Sequence, residues 1–310
     1  MAASPSSLPP RPCFLAGPTA VGKSAVALAL AEKIGGEIIS VDSMQVYRGL
    51  DLGTAKPSAA ERARVRHHLI DICDLREAFD AAQFVRLARA AVADIQARGR
   101  TPIFCGGTGL YFTAFFEGLG GAPPADEKVR AELAAMPLEA LLAELRERDS
   151  ATFATIDRKN PRRVIRAVEV VRLTGRSFSQ QRAAWDSPSQ RAPDAAPVFC
   201  LIRQPDDLRR RINLRTERMF SRGLVEETRG LLQQGLAENP IALQAIGYGQ
   251  VAAYLHGERG LAQTVELVKA RTRQFAKRQL TWFRRRGNCR WIELGPEEST
   301  AETVAKIQSA

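Results

Sequence analysis

The segment from residue 17 to residue 24 reads Gly-Pro-Thr-Ala-Val-Gly-Lys-Ser and matches the phosphate-binding pattern G-x-x-x-x-G-K-[ST]. The glycines let the backbone turn sharply, so that successive N–H groups point at phosphate oxygens, and the following helix presents its positive end to the anion. Lys23 adds a point charge for a distal phosphate, and the Ser24 hydroxyl suits a phosphate-bound Mg²⁺. The predicted cradle comprises Gly17, Pro18, Thr19, Ala20, Val21, Gly22, Lys23 and Ser24. The pattern predicts a di- or triphosphate or nucleotide ligand, without deciding that it is ATP or that phosphoryl transfer follows.

Two further polar segments follow apolar, strand-like runs. Asp42 comes directly after Ile38–Val41 and fits three roles: a magnesium ligand, a general base, or a cap of the turn. The glycine turn 106–109 leads into a predicted helix and offers backbone N–H groups and the Thr108 hydroxyl, or serves only as a tight turn. His67 and His68 are adjacent on a strand and point to opposite faces, which makes them a poor metal pair and favours a structural role.

Strand-like runs alternate with helical ones in the first 121 residues, which predicts βαβ units and a parallel sheet. The predicted strands are Pro12–Ala16, Ile38–Val41, Leu69–Cys73, Pro102–Cys105 and Val198–Ile202, and the predicted helices include Ser24–Ile34 and Phe79–Arg98. Ligands of such sheets bind beyond the carboxyl ends of the strands, where each of these polar segments lies. The fold class is therefore α/β, a P-loop NTPase-like parallel sheet with helices on both faces and a helical insertion domain.

The domain boundaries follow from composition. Residues 1–11 are Pro/Ser-rich and are expected to form a flexible tail that lacks the features of a signal peptide. Residues 12–121 and 197–310 form the predicted core, whose C-terminal region reads as basic and helical, and residues 122–196 form the helical insertion.

Charge and cysteine usage narrow the function classes. Of the 310 residues, 45 are Lys or Arg and 34 are Asp or Glu, a net charge of +11, and residues 269–290 hold nine Lys/Arg and no acid. Concentrated charge of this kind favours a polyanionic partner over a merely basic soluble protein. Five cysteines without a C-x-x-C pair, and no apolar run near the roughly 18 residues of a membrane span, predict a reduced cytoplasmic protein.

Taken together, these segments resemble the tRNA dimethylallyltransferases, also called tRNA isopentenyltransferases. The resemblance rests on residues 17–24, on Asp-Ser-Met-Gln-Val-Tyr-Arg-Gly-Leu-Asp-Leu-Gly-Thr-Ala-Lys-Pro at 42–57, His-His-Leu-Ile-Asp at 67–71, Gly-Gly-Thr-Gly-Leu-Tyr at 106–111, Arg-Ala-Val-Glu-Val at 166–170, Ala-Ile-Gly-Tyr at 245–248 and Lys-Arg-Gln-Leu-Thr-Trp-Phe-Arg at 277–284. It implies transfer of a dimethylallyl group from its diphosphate to N6 of adenosine 37 beside the tRNA anticodon, so that the P-loop holds a leaving diphosphate. The expected cofactor is Mg²⁺, and the expected partners are the tRNA anticodon loop and dimethylallyl diphosphate, with no membrane and no obligate protein partner; a monomer is expected, although the sequence leaves the oligomeric state open.

The resemblance assigns roles to individual residues. Asp42 matches the family's base, which suits the weakly nucleophilic adenine N6 because a carboxylate can remove its proton as the C–N bond forms. Thr19, Thr108 and Arg215 join Lys23 around the diphosphate. Because a stacked base must be turned out into the pocket, contacts with single-stranded RNA are also expected. The matching tRNA-contact positions are Asp42, Ser43, Met44, Gln45, Thr108, Arg130, Arg162, Arg163, Val164, Ile165 and Arg166.

The basic C-terminal stretch is expected to bind phosphates through Arg271, Arg273, Lys277, Arg278 and Arg284–Arg286, while Val265, Val268, Thr272, Phe275, Gln279 and Phe283 face the core. One departure from the family pattern is Gly249, where members usually carry an arginine. Three other functions remain open: a small nucleoside or nucleotide kinase, an isopentenyltransferase acting on free adenine nucleotides, and a non-catalytic P-loop RNA-binding protein.

Overall fold

A six-stranded, all-parallel sheet forms the centre of the described chain. The computed structural model describes residues 10–181 and 197–309, so most of the predicted tail and of the linker at Ser187–Pro197 lies outside the described residues. The strands are β1 (Cys13–Ala16), β2 (Gly36–Val41), β3 (His67–His68), β4 (Thr101–Gly106), β5 (Val198–Ile202) and β6 (Cys289–Glu293), in the order β3-β2-β4-β1-β5-β6. The predicted α/β class with a parallel sheet is confirmed.

Helices connect the strands and extend the chain beyond them. Those before β5 are α1 (Lys23–Ile34), α2 (Ala59–Arg64), α3 (Ala81–Ala97), α4 (Gly109–Glu117), α5 (Glu127–Ala135), α6 (Leu138–Arg148), α7 (Ser150–Thr155), α8 (Pro161–Thr174) and α9 (Phe178–Gln181). After β5 come α10 (Pro205–Ser221), α11 (Leu224–Gln233), α12 (Tyr248–Leu255), α13 (Leu261–Arg284) and α14 (Thr300–Ser309), with short 3-10 helices at Leu236–Glu238 and Ala242–Gln244. Among the described residues, none of these helices is long and apolar enough to cross a membrane.

The sheet separates two apolar layers because side chains alternate along each strand. Leu15 and Ile103 point to the face on which α1 and α14 pack, and Phe14 stacks on Phe104 on the opposite face, with ring centroids 4.8 Å apart. The sheet is thus covered on both sides, and ligands have access at the carboxyl ends of its strands.

The chain divides into two compact units, Met1–Phe115 with Asp194–Ala310, and Phe116–Pro193. The first contains the sheet. The second is helical and has its own core, to which Leu133, Leu141, Leu145, Val164 and Val168 contribute.

One strand prediction was wrong, and one strand was missed. The run Leu69–Cys73 is not a strand: Leu69 and Asp71 have left-handed φ values of +61° and +56°, and the strand of this region is the preceding pair of histidines. The C-terminal region is not purely helical, because β6 lies at the edge of the sheet beside β5. Only Ile292 of β6 is buried, so this strand lacks the apolar run by which the other strands were found.

Candidate active site

The P-loop lies at the carboxyl end of β1, a central strand of the sheet. Gly17 and Gly22 have φ values of +145° and +112°, in the region that favours glycine, and Ala20 has φ +64°. A Cβ on Gly17 would lie 2.6 Å from the carbonyl oxygen of Leu201, so this position has no room for a side chain. The amides of the first turn of α1 have no intrahelical partner, which leaves them available to an anion.

Three cationic side chains bind the outward-facing carbonyl oxygens of this loop. Lys23 Nζ donates to Pro18 O at 2.7 Å, Arg211 Nε to Ala20 O at 3.2 Å and Arg203 Nε to Val21 O at 2.9 Å. Arg203 is itself buried and pairs with Asp207 at 3.0 Å. Neither Arg203 nor Arg211 was predicted from sequence, because both lie nearly 200 residues away and match no motif.

The Lys23 ammonium lies in an environment that disfavours its charge. Burial, and to a lesser extent the positive charge of Arg215, lowers the pKa of Lys23 to about 8, while Cys105 and Asp42 act in the opposite direction. A bound anion would relieve this unfavourable environment, as expected of a phosphate-binding lysine.

Asp42 follows the last residue of β2, and its carboxylate is fixed by the backbone of its own loop. Oδ1 accepts hydrogen bonds from the N–H groups of Met44, at 2.8 Å, and Gln45, at 3.3 Å. Ser43 and Met44 are half-buried beside it. The structure therefore shows the predicted cap of the turn, made through Oδ1, and Oδ2 accepts no hydrogen bond from the described residues.

The Gln45 side chain lies inside the loop of residues 42–57. Its Oε1 accepts from Ser40 Oγ at 2.9 Å, and its Nε2 donates to Thr54 O at 3.2 Å. Both ends of the amide are thus used to close the loop.

A buried lysine connects the 42–57 loop to the segment after β3. The Lys56 side chain is only 2% exposed, and its ammonium group contacts Tyr47 O, Asp51 and Asp71. Burial alone would raise the pKa of Asp71, but hydrogen bonds from Lys56 and Arg62 outweigh it and hold the pKa below its ordinary value. The motifs at 42–57 and 67–71 therefore form one structural element.

Glu227 and Tyr248 hold the middle of the same loop. The Leu52 N–H donates to Glu227 at 3.0 Å, the Gly53 N–H donates to the Tyr248 hydroxyl at 3.0 Å, and that hydroxyl donates to Glu227 Oε1 at 2.6 Å. Tyr248 was known only as part of a motif, and Glu227 was not predicted.

Thr108 is the second residue after β4, the strand that lies between β1 and β2. In the sheet register, Ala16 and Val41 are both aligned with Gly106, and the Thr108 N–H donates to Val41 O at 3.2 Å. Because neighbouring strands are about 4.8 Å apart, the ends of β1 and β2 are separated by about 10 Å, with Thr108 between them.

Arg215 reaches the same region from α10. Its Nη2 donates to Thr54 O at 3.4 Å. Burial lowers the pKa of Arg215, and the negative charge of Asp42 acts in the opposite direction. The structure therefore brings together the four residues predicted to be catalytic, Lys23, Asp42, Thr108 and Arg215, around the carboxyl ends of three strands.

The arginines predicted to contact tRNA in the helical unit have two kinds of environment. Arg130 and Arg166 pair with the fully buried carboxylate of Glu169, at 3.0 and 2.6 Å. Arg162 and Arg163 are exposed in the first turn of α8. Ile165 is partly buried, and Val164 is fully buried in the core of this unit, so the Val164 side chain is not accessible to RNA.

The basic residues of α13 and of the segment that follows it also have two kinds of environment. Arg271, Lys277, Arg278, Arg284 and Arg285 are exposed and form no ion pair with the described residues. Lys269 pairs with Glu217 and Glu266, and Arg273 donates to Asn213. Of the residues predicted to face the core, Val268, Gln279 and Phe283 are buried, and Val265, Thr272 and Phe275 are half-buried.

Comparison with known proteins identifies the family. The model of the IPP transferase family matches residues 45–286. This chain belongs to that family. It is 48% identical over 282 residues to tRNA dimethylallyltransferase 1 of Citrifermentans bemidjiense, with 90% of each chain covered, and 46% identical over 297 residues to the tRNA dimethylallyltransferase of Geobacter metallireducens, with 93% of this chain and 94% of the relative covered.

Solved structures agree with the family membership. The tRNA isopentenylpyrophosphate transferase of Bacillus halodurans is similar with a TM-score of 0.69 and 38% identity, over 97% of this chain and 96% of that one. A eukaryotic dimethylallyltransferase, described as acting on tRNA, has a TM-score of 0.77 at 26% identity and covers 96% of this chain and 78% of its own. The family and the class of enzyme predicted from sequence, a prenyl transferase, are confirmed.

The structure gives a local reason for Gly249, the departure from the expected family pattern. A Cβ at this position would lie 2.7 Å from the carbonyl oxygen of Leu243, so a larger side chain would require the 3-10 helix at Ala242–Gln244 to shift.

Proposed function

We propose that this prenyl transferase transfers a dimethylallyl group from dimethylallyl diphosphate to N6 of adenosine 37 in tRNA and releases diphosphate. The observation that carries the proposal is the placement of a carboxylate and a phosphate cradle on strands β2 and β1, with β4 between them. The ends of β1 and β2 are about 10 Å apart, which leaves room for the reacting groups to lie in a row. The carboxylate can lie within about 3 Å of N6, and N6 can lie within about 3.5 Å of the reacting carbon, on the side opposite the leaving oxygen.

Asp42 is the general base in this proposal. Met44 and Gln45 hold Oδ1 through their backbone N–H groups, so the carboxylate is oriented before the substrate arrives. Oδ2 accepts the N6 proton as the C–N bond forms and the C–O bond to diphosphate breaks.

Lys23, Arg215, Thr19 and Thr108 surround the departing diphosphate with positive charge and hydrogen-bond donors. The negative charge on the bridging oxygen grows as the bond breaks, so donors fixed beforehand stabilise the transition state more than the ground state. The low pKa of Lys23 supports this role, because an unpaired ammonium there is unfavourable until the anion binds.

Magnesium fits this site as an ion held mainly by the substrate. Within residues 10–181 and 197–309, no three His, Cys, Asp or Glu side chains are placed to hold a metal. Mg²⁺ prefers hard oxygen ligands and commonly uses few protein ligands plus phosphate oxygens, so the Ser24 hydroxyl would hold it. When bound, the ion would neutralise charge on the diphosphate.

We further propose that residues 122–196 form a tRNA-contacting domain, with Arg130, Arg162, Arg163 and Arg166 as contacts, and that Ser43 and Met44 contact the turned-out base. The exposed cations of α13 and its C-terminal extension bind tRNA phosphates. We also propose that the enzyme acts as a monomer in the cytoplasm.

The decisive experiment supplies radiolabelled dimethylallyl diphosphate together with tRNA bearing A36-A37-A38, with AMP and ATP in parallel reactions. We expect label in the tRNA and none in AMP. ATP turnover without labelled tRNA would instead indicate a kinase, label in AMP would indicate a transferase for free nucleotides, and tRNA binding with no chemistry would indicate a non-catalytic RNA-binding protein.

A further inference from the structure

Gln279 lies on α13, 260 residues from the P-loop in sequence, and its side-chain amide connects two of the loops at the site. The Thr19 N–H donates to Gln279 Oε1 at 2.8 Å. Gln279 Nε2 donates to Gly107 O at 3.0 Å. The side chain is 7% exposed, so water competes little for either bond.

The 106–109 turn is shaped to receive this amide. A Cβ on Gly107 would lie 2.0 Å from Gln279 Nε2, and a Cβ on Gly109 would lie 2.2 Å from the ring of Trp282, one turn farther along α13. The glycines of the 106–109 turn therefore allow the end of α13 to approach closely, which is a packing requirement separate from any ligand.

The connection continues from Gln279 to Asp42, the proposed general base. Gly107 precedes Thr108, whose N–H donates to Val41 O at 3.2 Å, and Val41 precedes Asp42. A continuous path of backbone and side-chain bonds thus runs from the P-loop through Gln279 and Thr108 to the end of β2. Because the Thr19 N–H is already hydrogen-bonded to Gln279, the Thr19 hydroxyl is the group that remains available to a phosphate.

We propose that Gln279 is a positioning residue that fixes the distance between the P-loop and the segments that carry Thr108 and Asp42. This inference rests on the proposed function, since that distance matters only when a leaving group and a base act on one substrate. Gln279 does not touch the reacting atoms. A displacement of about 1 Å between the two loops is enough to lower a rate on the order of a hundredfold.

The test compares Gln279→Met, which keeps the length and removes both bonds, with Gln279→Glu, which keeps the acceptor for Thr19 and removes the donor to Gly107. Gln274→Met is the matched control, an exposed glutamine on the same helix. Hydrogen exchange of the Thr19 amide, measured by NMR, reports on the bridge without any substrate. Steady-state kinetics and inorganic diphosphate binding report on its consequence.

We expect Gln279→Met to abolish the protection of the Thr19 amide and to lower kcat on the order of 10- to 100-fold. Inorganic diphosphate affinity should change less, because Lys23, Arg203 and Arg211 still hold the loop. Gln279→Glu should keep the Thr19 protection and still lose kcat, and Gln274→Met should change neither.

Unchanged Thr19 protection in Gln279→Met would overturn the bridge. If Gln279→Met loses the protection of the Thr19 amide but keeps the kcat of Gln274→Met, the positioning role is overturned. If the wild-type protein transfers no prenyl group at all, the proposed function fails, whereas the exchange data still decide whether the bridge exists.

Discussion

The site at the carboxyl ends of the strands, called the sheet edge below, and helix α8 both carry cationic residues that we propose bind polyanionic ligands, but they are built differently. At the sheet edge, the P-loop carbonyls are held by side chains from α10 and the region after β5, and the Thr19 amide is held by Gln279. On α8, Arg166 is held by Glu169 three residues away, and Arg162 and Arg163 are exposed in the first turn. The first site is fixed by distant parts of the chain and the second mostly by its own helix.

This difference agrees with the role that we propose for each region. A site that stabilises charge developing on a single bond needs donors fixed within a fraction of an ångström. A surface that binds the phosphates of a large RNA tolerates mobile side chains, because its contribution is mainly electrostatic. Removing a single group at the sheet edge should therefore have a large effect on the reaction, and removing an exposed arginine of α8 should have a small effect on tRNA binding.

The largest effect is expected for Asp42→Asn. Asparagine keeps an oxygen to accept from the Met44 and Gln45 amides but cannot take a proton, so kcat should fall about 10²- to 10⁴-fold while tRNA affinity is kept. Single-turnover transfer and filter binding measure the two quantities. Asp74→Asn, at an exposed carboxylate paired with Arg48, is the control, and equal losses in both variants would argue against the base.

A change of pH should affect the sheet edge through Lys23. Its pKa of about 8 means that the ammonium is formed below that pH and that binding must take up a proton above it. The contribution of Lys23 to diphosphate affinity should therefore be flat below pH 8 and fall by up to about tenfold per pH unit above it.

The matched comparison for this pH effect is Lys23→Met. The ratio of the diphosphate affinity of the wild-type protein to that of Lys23→Met cancels the ionisation of diphosphate itself. Calorimetric titrations from pH 6 to about 9.5 would show the ratio decreasing above pH 8. A ratio independent of pH would mean that Lys23 does not face the anion.

Within the helical unit, the largest effect is expected for Glu169→Ala. This change leaves Arg130, Arg166 and the Asp126 N–H without their buried acceptor and should cost about 3 kcal/mol in the free energy of unfolding. Urea denaturation measures it, and Glu147→Ala, at an exposed glutamate of α6, should cost less than about 0.5 kcal/mol. If the two variants were equally stable, the buried carboxylate would not organise the two arginines.

The smallest effect is expected for Arg162→Ala and Arg163→Ala. Each change should weaken tRNA binding only several-fold and reduce the slope of log affinity against log salt by about 0.7 for each phosphate that the arginine neutralises. Affinities at several salt concentrations measure that slope. A loss of kcat at saturating tRNA would show that these arginines act on the reaction rather than on phosphate binding.

The P-loop and the buried strands could be predicted because each is marked by a pattern of consecutive residues. The P-loop is contained in eight consecutive residues, and the apolar runs of β1, β2, β4 and β5 are visible because these strands are largely buried. The edge strands were wrong or missed for the opposite reason. β3 has only two residues and β6 is mostly exposed, so neither requires an apolar pattern.

The sequence by itself determined the phosphate cradle, the parallel sheet and the family, because each depends on residue types at short, fixed spacings. Only the tertiary structure decided which distant side chains complete the site. Gln279 was known only as a member of the 277–284 motif, and its bridge between two loops was not predicted. Arg203, Arg211 and Glu227 contact backbone atoms of the loops, and such bonds place no constraint on the type of the residue that is contacted. No local pattern therefore records them, and their positions become known only when the helices after β5 pack against the ends of the strands.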